Sequence, residues 1–98
     1  MRLSPLQKFI LLKCYEKGGR IDRKFFRDFY VKQDLKAKEK YQESIITKSL
    51  ESLIDRELMI GFGRRTAHKW FITHVKLTKK GKNRAEEVLQ ESQEKLPL

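Results

Sequence analysis

The residues in this chain best suited to chemistry are a short run of cations between two apolar segments. Arg64, Arg65 and Lys69 carry the charge of this run, and His68 lies among them. Arginine and lysine suit phosphate groups because they donate several hydrogen bonds while staying charged. From residue 61 to residue 84 there are eight basic residues and no acidic residue. This clustering indicates a polyanionic partner, with a solubilising basic surface as the plain alternative.

Residues for catalysis or metal binding do not form recognisable sets. The sequence has no paired-carboxylate site, no glycine-rich phosphate loop, and no Cys–His pair at the spacing of a nucleophile and its base. His68 and His74 have no third ligand near them, so we expect neither a metal nor a cofactor. Cys14 is the one cysteine, and its place beside Ile10 on a helix predicts a buried apolar role. We therefore expect a binding protein and not an enzyme.

Length and charge set the remaining bounds. The 98 residues suit one domain spanning 1–98, and the formal net charge is +10. Between residues 85 and 98 the balance reverses, with one basic residue against four acidic ones, so charge is polarised along the chain. No apolar run approaches the ~20 residues that cross a bilayer, and the start of the chain lacks a signal-peptide cleavage pattern. We expect a cytoplasmic protein without a membrane segment.

A helix around Leu50 must position the surface that accompanies the basic run. At about 100° per residue, one of its faces is an apolar stripe, formed by Ile46, Thr47, Leu50, Leu53 and Ile54. The opposite face carries hydroxyls, one lysine, one aromatic ring and one isoleucine: Tyr41, Ser44, Ile45, Lys48 and Ser52. The one acidic residue we expect near this face is Asp55, at its far end. Such a face can enter a DNA groove without strong repulsion from phosphate.

Two apolar segments flank the basic run and predict a two-stranded ribbon. Residues 58–60 begin the first strand, and residues 70–77 form the second. Gly61 and Gly63 supply backbone freedom, so we predict that residues 61–69 form the loop at the tip of the ribbon. A helix followed by a ribbon with a basic tip is the shape of a winged helix.

The first helix has clear signals at both ends. Ser4 and Gln7 can form a capping box around Pro5, a residue favoured at the first helical position. The helix should run to about Lys17 and end at Gly18–Gly19. Its apolar residues lie on more than one side. It therefore meets either its own core and a second subunit, or later helices on both sides.

The second helix follows a short segment at Ile21, which can pair as an edge strand with the ribbon. Asp22 is a suitable N-cap. The aromatic residues that follow have helical spacing, which favours core packing over a stacking platform for single-stranded nucleic acid; they are Phe25, Phe26, Phe29 and Tyr30. The polar residues 31–40 are either a loop or the extended ends of the neighbouring helices. Their lysines can contact phosphates or simply be solvated.

The last helix is predicted from Thr78, a plausible N-cap, through residues 79–93. Its apolar side should contain Arg84, Ala85, Val88 and Leu89. Its acidic second half would repel phosphate, so this end should point away from nucleic acid. Residues 94–98 are predicted to be a frayed tail.

Two strings in this chain resemble winged helix-turn-helix regulators. ITKSLESLIDRELMI, residues 46–60, resembles a recognition helix and first wing strand. VKLTKKGKNRA, residues 75–85, is similar to the second wing strand and final-helix start of MarR-like and related prokaryotic, often archaeal, regulators. There, Leu anchors the strand, Thr caps the helix, and small Gly and Ala allow close packing. The resemblance implies a mainly α fold with a small antiparallel sheet (α+β), with about four helices and a β-hairpin wing.

The same resemblance implies sequence-specific binding of double-stranded DNA by a transcriptional regulator. The third helix would enter the major groove, and the wing would contact the backbone or minor groove. It also implies a homodimer through the first and last helices, since such regulators usually read two half-sites. Carried over by position, the DNA-binding candidates are Tyr41, Ser44, Ile45, Lys48, Ser49, Ser52, Arg64, Arg65, His68 and Lys69.

Two other functions compete with DNA binding. A winged helix can serve as a protein-interaction module in a larger assembly, and the outward Tyr41 and Ile45 favour that reading. RNA binding is also compatible with the net charge of +10. A duplex-binding assay at moderate salt, with structured RNA for comparison, separates the three hypotheses.

Overall fold

The computed structural model describes residues 2–32 and 39–94. In these residues, the helices and strands follow the order α1 (Pro5–Lys17), β1 (Ile21–Asp22), α2 (Asp28–Lys32), α3 (Glu39–Asp55), β2 (Met59–Arg65), β3 (Trp70–Leu77) and α4 (Lys79–Glu94). A 3-10 helix, Arg23–Arg27, joins β1 to α2. The strands form an antiparallel sheet in the order β1-β3-β2. This is the predicted fold class, a mainly α chain with a small antiparallel sheet.

Helix α1 begins and ends where its local signals predict. The Ser4 hydroxyl accepts from the Gln7 N–H at 3.1 Å, and the Gln7 side-chain oxygen accepts from the Ser4 N–H at 3.0 Å. Gly18 ends the helix at φ 68°, a conformation that costs glycine little. The predicted capping box and glycine stop are both confirmed.

Most apolar residues of α1 are covered within the chain, although Tyr15 is 39% exposed. Ile10 and Leu11 are fully buried although they lie on different sides of the helix. The covering elements are α3, α4 and β3. Later elements therefore cover Ile10 and Leu11, and contact of the remaining surface of α1 with a second subunit stays a prediction. Cys14 is also buried, as predicted, and burial raises the pKa of its thiol to about 12, so the thiol is neutral near pH 7.

The aromatic segment packs into the core. The Asp22 carboxylate accepts from the Lys24 N–H at 2.9 Å, so it caps the segment, although the segment begins as a 3-10 helix. Phe26 is fully buried and Tyr30 is nearly so. Ile21 pairs with Val75 of β3, which confirms the predicted edge strand. Of the ambiguous segment 31–40, residues 33–38 lie outside the described residues, and the described ends are helical.

Helix α3 buries its predicted stripe. Ile46, Leu50 and Leu53 are fully buried, while Thr47 and Ile54 are half-buried. They pack against the sheet and α1, and this fixes which side of α3 faces outward.

The start of α4 is joined to the end of α3. The Thr78 hydroxyl donates to the Glu57 carbonyl at 2.6 Å and accepts from the Gly81 N–H at 3.0 Å. The Thr78 N–H donates to the Leu58 carbonyl at 3.1 Å. A Cβ on Gly81 would lie 1.9 Å from the Leu58 carbonyl oxygen, so only glycine fits there. The predicted cap and close packing are confirmed.

Helix α4 buries the side centred on Gly81, Ala85 and Val88, and Leu89, placed on the same side by its spacing, is 39% exposed at the edge of that side. The helix ends at Glu94, close to the predicted end; the frayed tail predicted from about residue 94 stays a prediction, because residues 95–98 lie outside the described residues. Within the described part of the chain, none of the helices has the length and hydropathy to cross a membrane.

Candidate nucleic-acid interface

The wing is the hairpin β2–β3, and its tip is shorter than predicted. Residues 61–69 were expected to form the loop, but residues 61–65 pair with β3 and only Thr66–Lys69 form the turn. The Thr66 N–H donates to the Lys69 carbonyl at 2.8 Å, and the Lys69 N–H donates to the Thr66 hydroxyl at 3.0 Å. The longer strand pairing lets backbone N–H and C=O groups bond to one another, whereas an open loop would leave these groups to bond with water.

The two glycines of β2 permit close contacts with α3 and β3. A Cβ on Gly61 would lie 2.7 Å from the Ile54 side chain and from the Trp70 ring, so glycine lets the wing approach α3. Gly63 has φ 149°, and a Cβ added to it would lie 2.0 Å from the Phe71 carbonyl oxygen. Thr73 is an extra residue in β3 at this point, so the strands form a bulge.

Arg64 and Arg65 point to opposite faces of the wing, because side chains alternate along a strand. Arg65 pairs with Trp70, and its guanidinium carbon lies 4.5 Å from the centre of the Trp70 ring. Trp70 packs toward α3, so Arg65 lies on the inner face. Arg64 pairs with Phe71 and is exposed on the outer face.

The outward face of α3 is open to solvent in its first half. Tyr41 is 63% exposed and Ile45 is 46% exposed. Ser44 and Lys48 are also exposed, whereas the candidate serines of the second half, Ser49 and Ser52, are half-buried. The predicted surface is therefore accessible chiefly near the N-terminal half of the helix.

A groove joins α3 to the wing. It has a volume of about 580 Å³, and its walls include Ser44 and Lys48 from α3 and Lys69 from the wing. A second cavity of about 400 Å³ lies under the turn and brings Arg65, His68 and Lys69 opposite α3. The other candidate residues lie outside both cavities: Tyr41, Ile45, Ser49, Ser52 and Arg64.

An acidic residue on this surface was missed. Glu51 is exposed and lines both cavities, and Asp55 lines the one under the turn. The prediction that Asp55 is the one acid near the outward face of α3 was therefore wrong. Glu51 was not assigned to the outward face from the sequence, and only the fold shows that the wing lies over the part of α3 that carries it. The two carboxylates oppose phosphate inside the cavity, so a polyanion is better accommodated along its rim.

Arg23 was also missed, and it fixes the start of α3 on the sheet. Its guanidinium donates to the Ile72 carbonyl at 3.1 Å, the Glu43 carbonyl at 3.0 Å and the Thr47 hydroxyl at 2.7 Å. It also forms an ion pair with the Glu43 carboxylate at 3.0 Å, and Arg27 pairs with the same carboxylate. These partners lie far along the chain, so no local pattern signals the role.

The cations of the wing are held by aromatic rings. The Lys69 ammonium lies 5.0 Å from the centre of the Phe71 ring, and Arg65 stacks on Trp70 as described. Among the described residues, no carboxylate lies within ion-pair distance of Arg64, Arg65 or Lys69. A ring orients a cation without cancelling its charge. His68 is exposed in the turn, and no three metal-binding side chains group together in the described ranges.

Known structures share this architecture. The chain is similar to the adhesin competence repressor AdcR of Streptococcus pyogenes, with a TM-score of 0.63 and 19% identity, over 95% of this chain and 60% of that one. It is also similar to a double mutant of Lactococcus lactis ZitR, with a TM-score of 0.62 and 20% identity, over 96% of this chain and 56% of that one.

The comparisons support the fold and no closer relationship. No protein-family profile matches the chain, and no curated protein sequence matches it. The chain spans less than two thirds of the two structures it resembles, 60% and 56% of their lengths. At these identities the likeness establishes architecture, and the chain has the winged-helix fold with a β-hairpin wing.

Proposed function

We propose that this protein is a cytoplasmic transcriptional regulator that binds double-stranded DNA sequence-specifically. The single observation that carries the proposal is the groove between α3 and the wing, where Ser44, Lys48 and Lys69 face a common space. In winged helices the third helix usually enters the major groove while the wing contacts the backbone or minor groove. Further support comes from a structure of the same fold, which is named a repressor.

The exposed groups on α3 suit a groove of DNA. Lys48 and Ser44 donate hydrogen bonds to phosphates or base edges, and Ile45 offers an apolar contact to a thymine methyl group. Ser49 and Ser52, being half-buried, would contribute at the margin. Few of these side chains make bidentate base contacts, so contacts to the DNA backbone should dominate the affinity.

The wing would supply cations on both of its faces. Arg65 is oriented by Trp70 on the inner face, and Arg64 extends from the outer face. Lys69 and the weaker candidate His68 lie at the turn between them. Because β2 and β3 are paired as far as this turn, the charges are carried by a hairpin and not by a loose loop. This geometry suits a backbone or minor-groove contact.

A matched pair of lysine variants tests the proposal. Lys48→Ala should weaken binding to a fluorescent duplex roughly three- to tenfold at moderate salt, because it removes one cationic contact. Lys82→Ala makes the same charge change on exposed α4, beside Cys14 and Tyr15 of α1. It should leave affinity within twofold. Equal effects of the two variants would mean that net charge alone drives binding, and the proposed interface would then be wrong.

A second candidate function is protein interaction. Tyr41, 63% exposed, and Ile45, 46% exposed, are apolar side chains on the outward face of α3. A protein that binds neither duplex DNA nor structured RNA at moderate salt, yet carries this exposed pair, is better explained as an interaction module. Structured RNA bound more tightly than duplex would instead favour the RNA hypothesis.

We also propose a homodimer formed through α1 and α4. Tyr15 and Leu89 leave apolar surface on these helices, each being 39% exposed. The Tyr15 hydroxyl donates to Glu86 at 3.1 Å, a contact that raises the pKa of the tyrosine and joins the two helices. A two-fold dimer would present two α3 helices to two half-sites.

A further inference from the structure

The sheet has a second face, opposite the one that packs on the core, and Phe71 on this face also lines the groove between α3 and the wing. Strand alternation, with the bulge at Thr73 taken into account, assigns its residues from the register of the wing. The core-facing set contains Met59, Gly61, Ile72, Val75 and Leu77. The outer set contains Ile60, Phe62, Arg64, Phe71, His74 and Lys76.

Two aromatic rings lie on this outer face beside cations. Phe71 is 47% exposed, and the Lys69 ammonium lies 5.0 Å from its ring centre. Phe62 is half-buried, and the Arg20 guanidinium carbon lies 4.1 Å from its ring centre. Arg20 thus extends the ring surface with a flat cationic group. These rings on the outer face differ from the aromatic side chains of residues 25–30, most of which pack inward.

The charge of the outer face is strongly positive. Arg64 and Lys76 are exposed on it, in addition to the two cations that lie over the rings. Among the described residues, Asp22 brings an acidic group to this face through its pairing with His74, and the His74 ring nitrogen lies 3.7 Å from its carboxylate. An acidic protein segment would satisfy the cations but would leave the rings without a flat partner.

We propose that this outer sheet face binds single-stranded nucleic acid. Unstacked bases pack on aromatic rings and on guanidinium planes, while cations beside them hold the phosphates. One base would stack on Phe71 and another on Arg20 above Phe62. A duplex keeps its bases stacked on one another, so it cannot use these rings. The site shares Arg64 and Lys69 with the surface proposed for duplex DNA, but it adds two rings that a duplex cannot use, so it goes beyond that function without depending on it.

The test is binding of short fluorescent oligothymidylate and oligouridylate strands, compared with an abasic strand of equal length. Phe62→Leu keeps apolar volume and removes the ring, and it should weaken binding of the base-containing strands at least about threefold. Phe71→Ala should weaken it at least about fivefold. Val31→Ala, a truncation of an apolar residue that is 77% exposed on α2, should change nothing. Circular dichroism should show the same fold in each variant.

The outcomes separate this site from the duplex site. Tighter binding of either base-containing strand than of the abasic strand, together with sensitivity to Phe62→Leu, supports the proposal, and the tighter strand identifies DNA or RNA. Phe62→Leu should leave duplex affinity unchanged, and Lys48→Ala, which removes a charge but no ring, should leave the ratio of base-containing to abasic strand affinity unchanged. Equal binding of the abasic strand, or no effect of either ring variant, overturns the proposal even if Lys48→Ala still weakens duplex binding.

Discussion

The α1–α4 side and the α3–wing side of the molecule hold their charged groups in different ways. On the α1–α4 side, carboxylates of α4 have polar partners: Lys8 lies 3.9 Å from Glu91, and Arg84 lies 2.8 Å from Glu87. These exposed pairs add little stability, but they neutralise charge locally. Lys13 and Lys17 of α1 also lie over rings, 5.8 Å from the centre of Phe9 and 5.2 Å from that of Phe25, so this side is distinguished by its paired carboxylates.

On the α3–wing side, the cations lie against rings. Arg65 stacks on Trp70 and Lys69 on Phe71, with no described carboxylate at ion-pair distance from either cation. The rings restrict where the cations point and leave their charge available to an external anion. Net charge alone is therefore a poor guide to the candidate interface. The wing is distinguished by cations that rings orient beside the outward face of α3 and that have no described carboxylate at ion-pair distance.

The largest effect should come from breaking the α1–α4 side. Gly81→Ala places a methyl group against the Leu58 carbonyl oxygen, where the ideal Cβ distance is 1.9 Å. The start of α4 must then move, and we expect about 2–3 kcal/mol less stability. Urea unfolding measures this loss, with the adjacent exposed Lys82→Ala as the control. Full stability in Gly81→Ala would show that the joint between α3 and α4 is looser than described.

A second change tests whether the α1–α4 side also joins two subunits. Leu89→Glu adds another charge to an exposed apolar position and should raise the dissociation constant of the proposed dimer at least about tenfold. Sedimentation at several concentrations measures it. A native protein that is monomeric at high micromolar concentration would count against the dimer. A variant that dimerises as the native protein does would move the interface elsewhere.

The smallest effect concerns the acid on the α3–wing side. Glu51 lines the groove beside Lys48 and Lys69. Glu51→Gln removes its repulsion of phosphate while keeping its size, so duplex affinity should rise roughly two- to threefold at low salt. The gain should shrink as salt is added, and Glu86→Gln on α4 provides the distant comparison. A loss of affinity in Glu51→Gln would mean that the carboxylate holds a base or positions a cation.

Local signals in the sequence predicted much of the fold. Ser4, Asp22 and Thr78 were recognised as caps because each bonds to a backbone group two or three residues away. The stripe on α3 followed from helical periodicity alone. The outward position of Tyr41 and Lys48 followed from the same geometry, since burying one side of a helix exposes the other.

The parts that were missed depend on contacts between distant segments. Gly61 and Gly63 suggested a turn, but their role is to let β2 approach Trp70 and cross a bulge. Arg23 fastens α3 through partners from 20 to 49 residues away. The opposite directions of Arg64 and Arg65 required the strand to extend through both. Spacing along the chain contains none of this information.

The most direct test of duplex recognition is a titration of fluorescent duplex DNA at several salt concentrations with the native protein and with Arg64→Ala plus Arg65→Ala. Each phosphate contact contributes about 0.9 to the slope of log affinity against log salt concentration. We predict that the double variant binds at least about tenfold more weakly at low salt, with a slope smaller by roughly two contacts. The control is Lys8→Ala plus Lys82→Ala, which should keep the native slope. Unchanged affinity and slope in the wing variant, or equal losses in the control, would contradict the account.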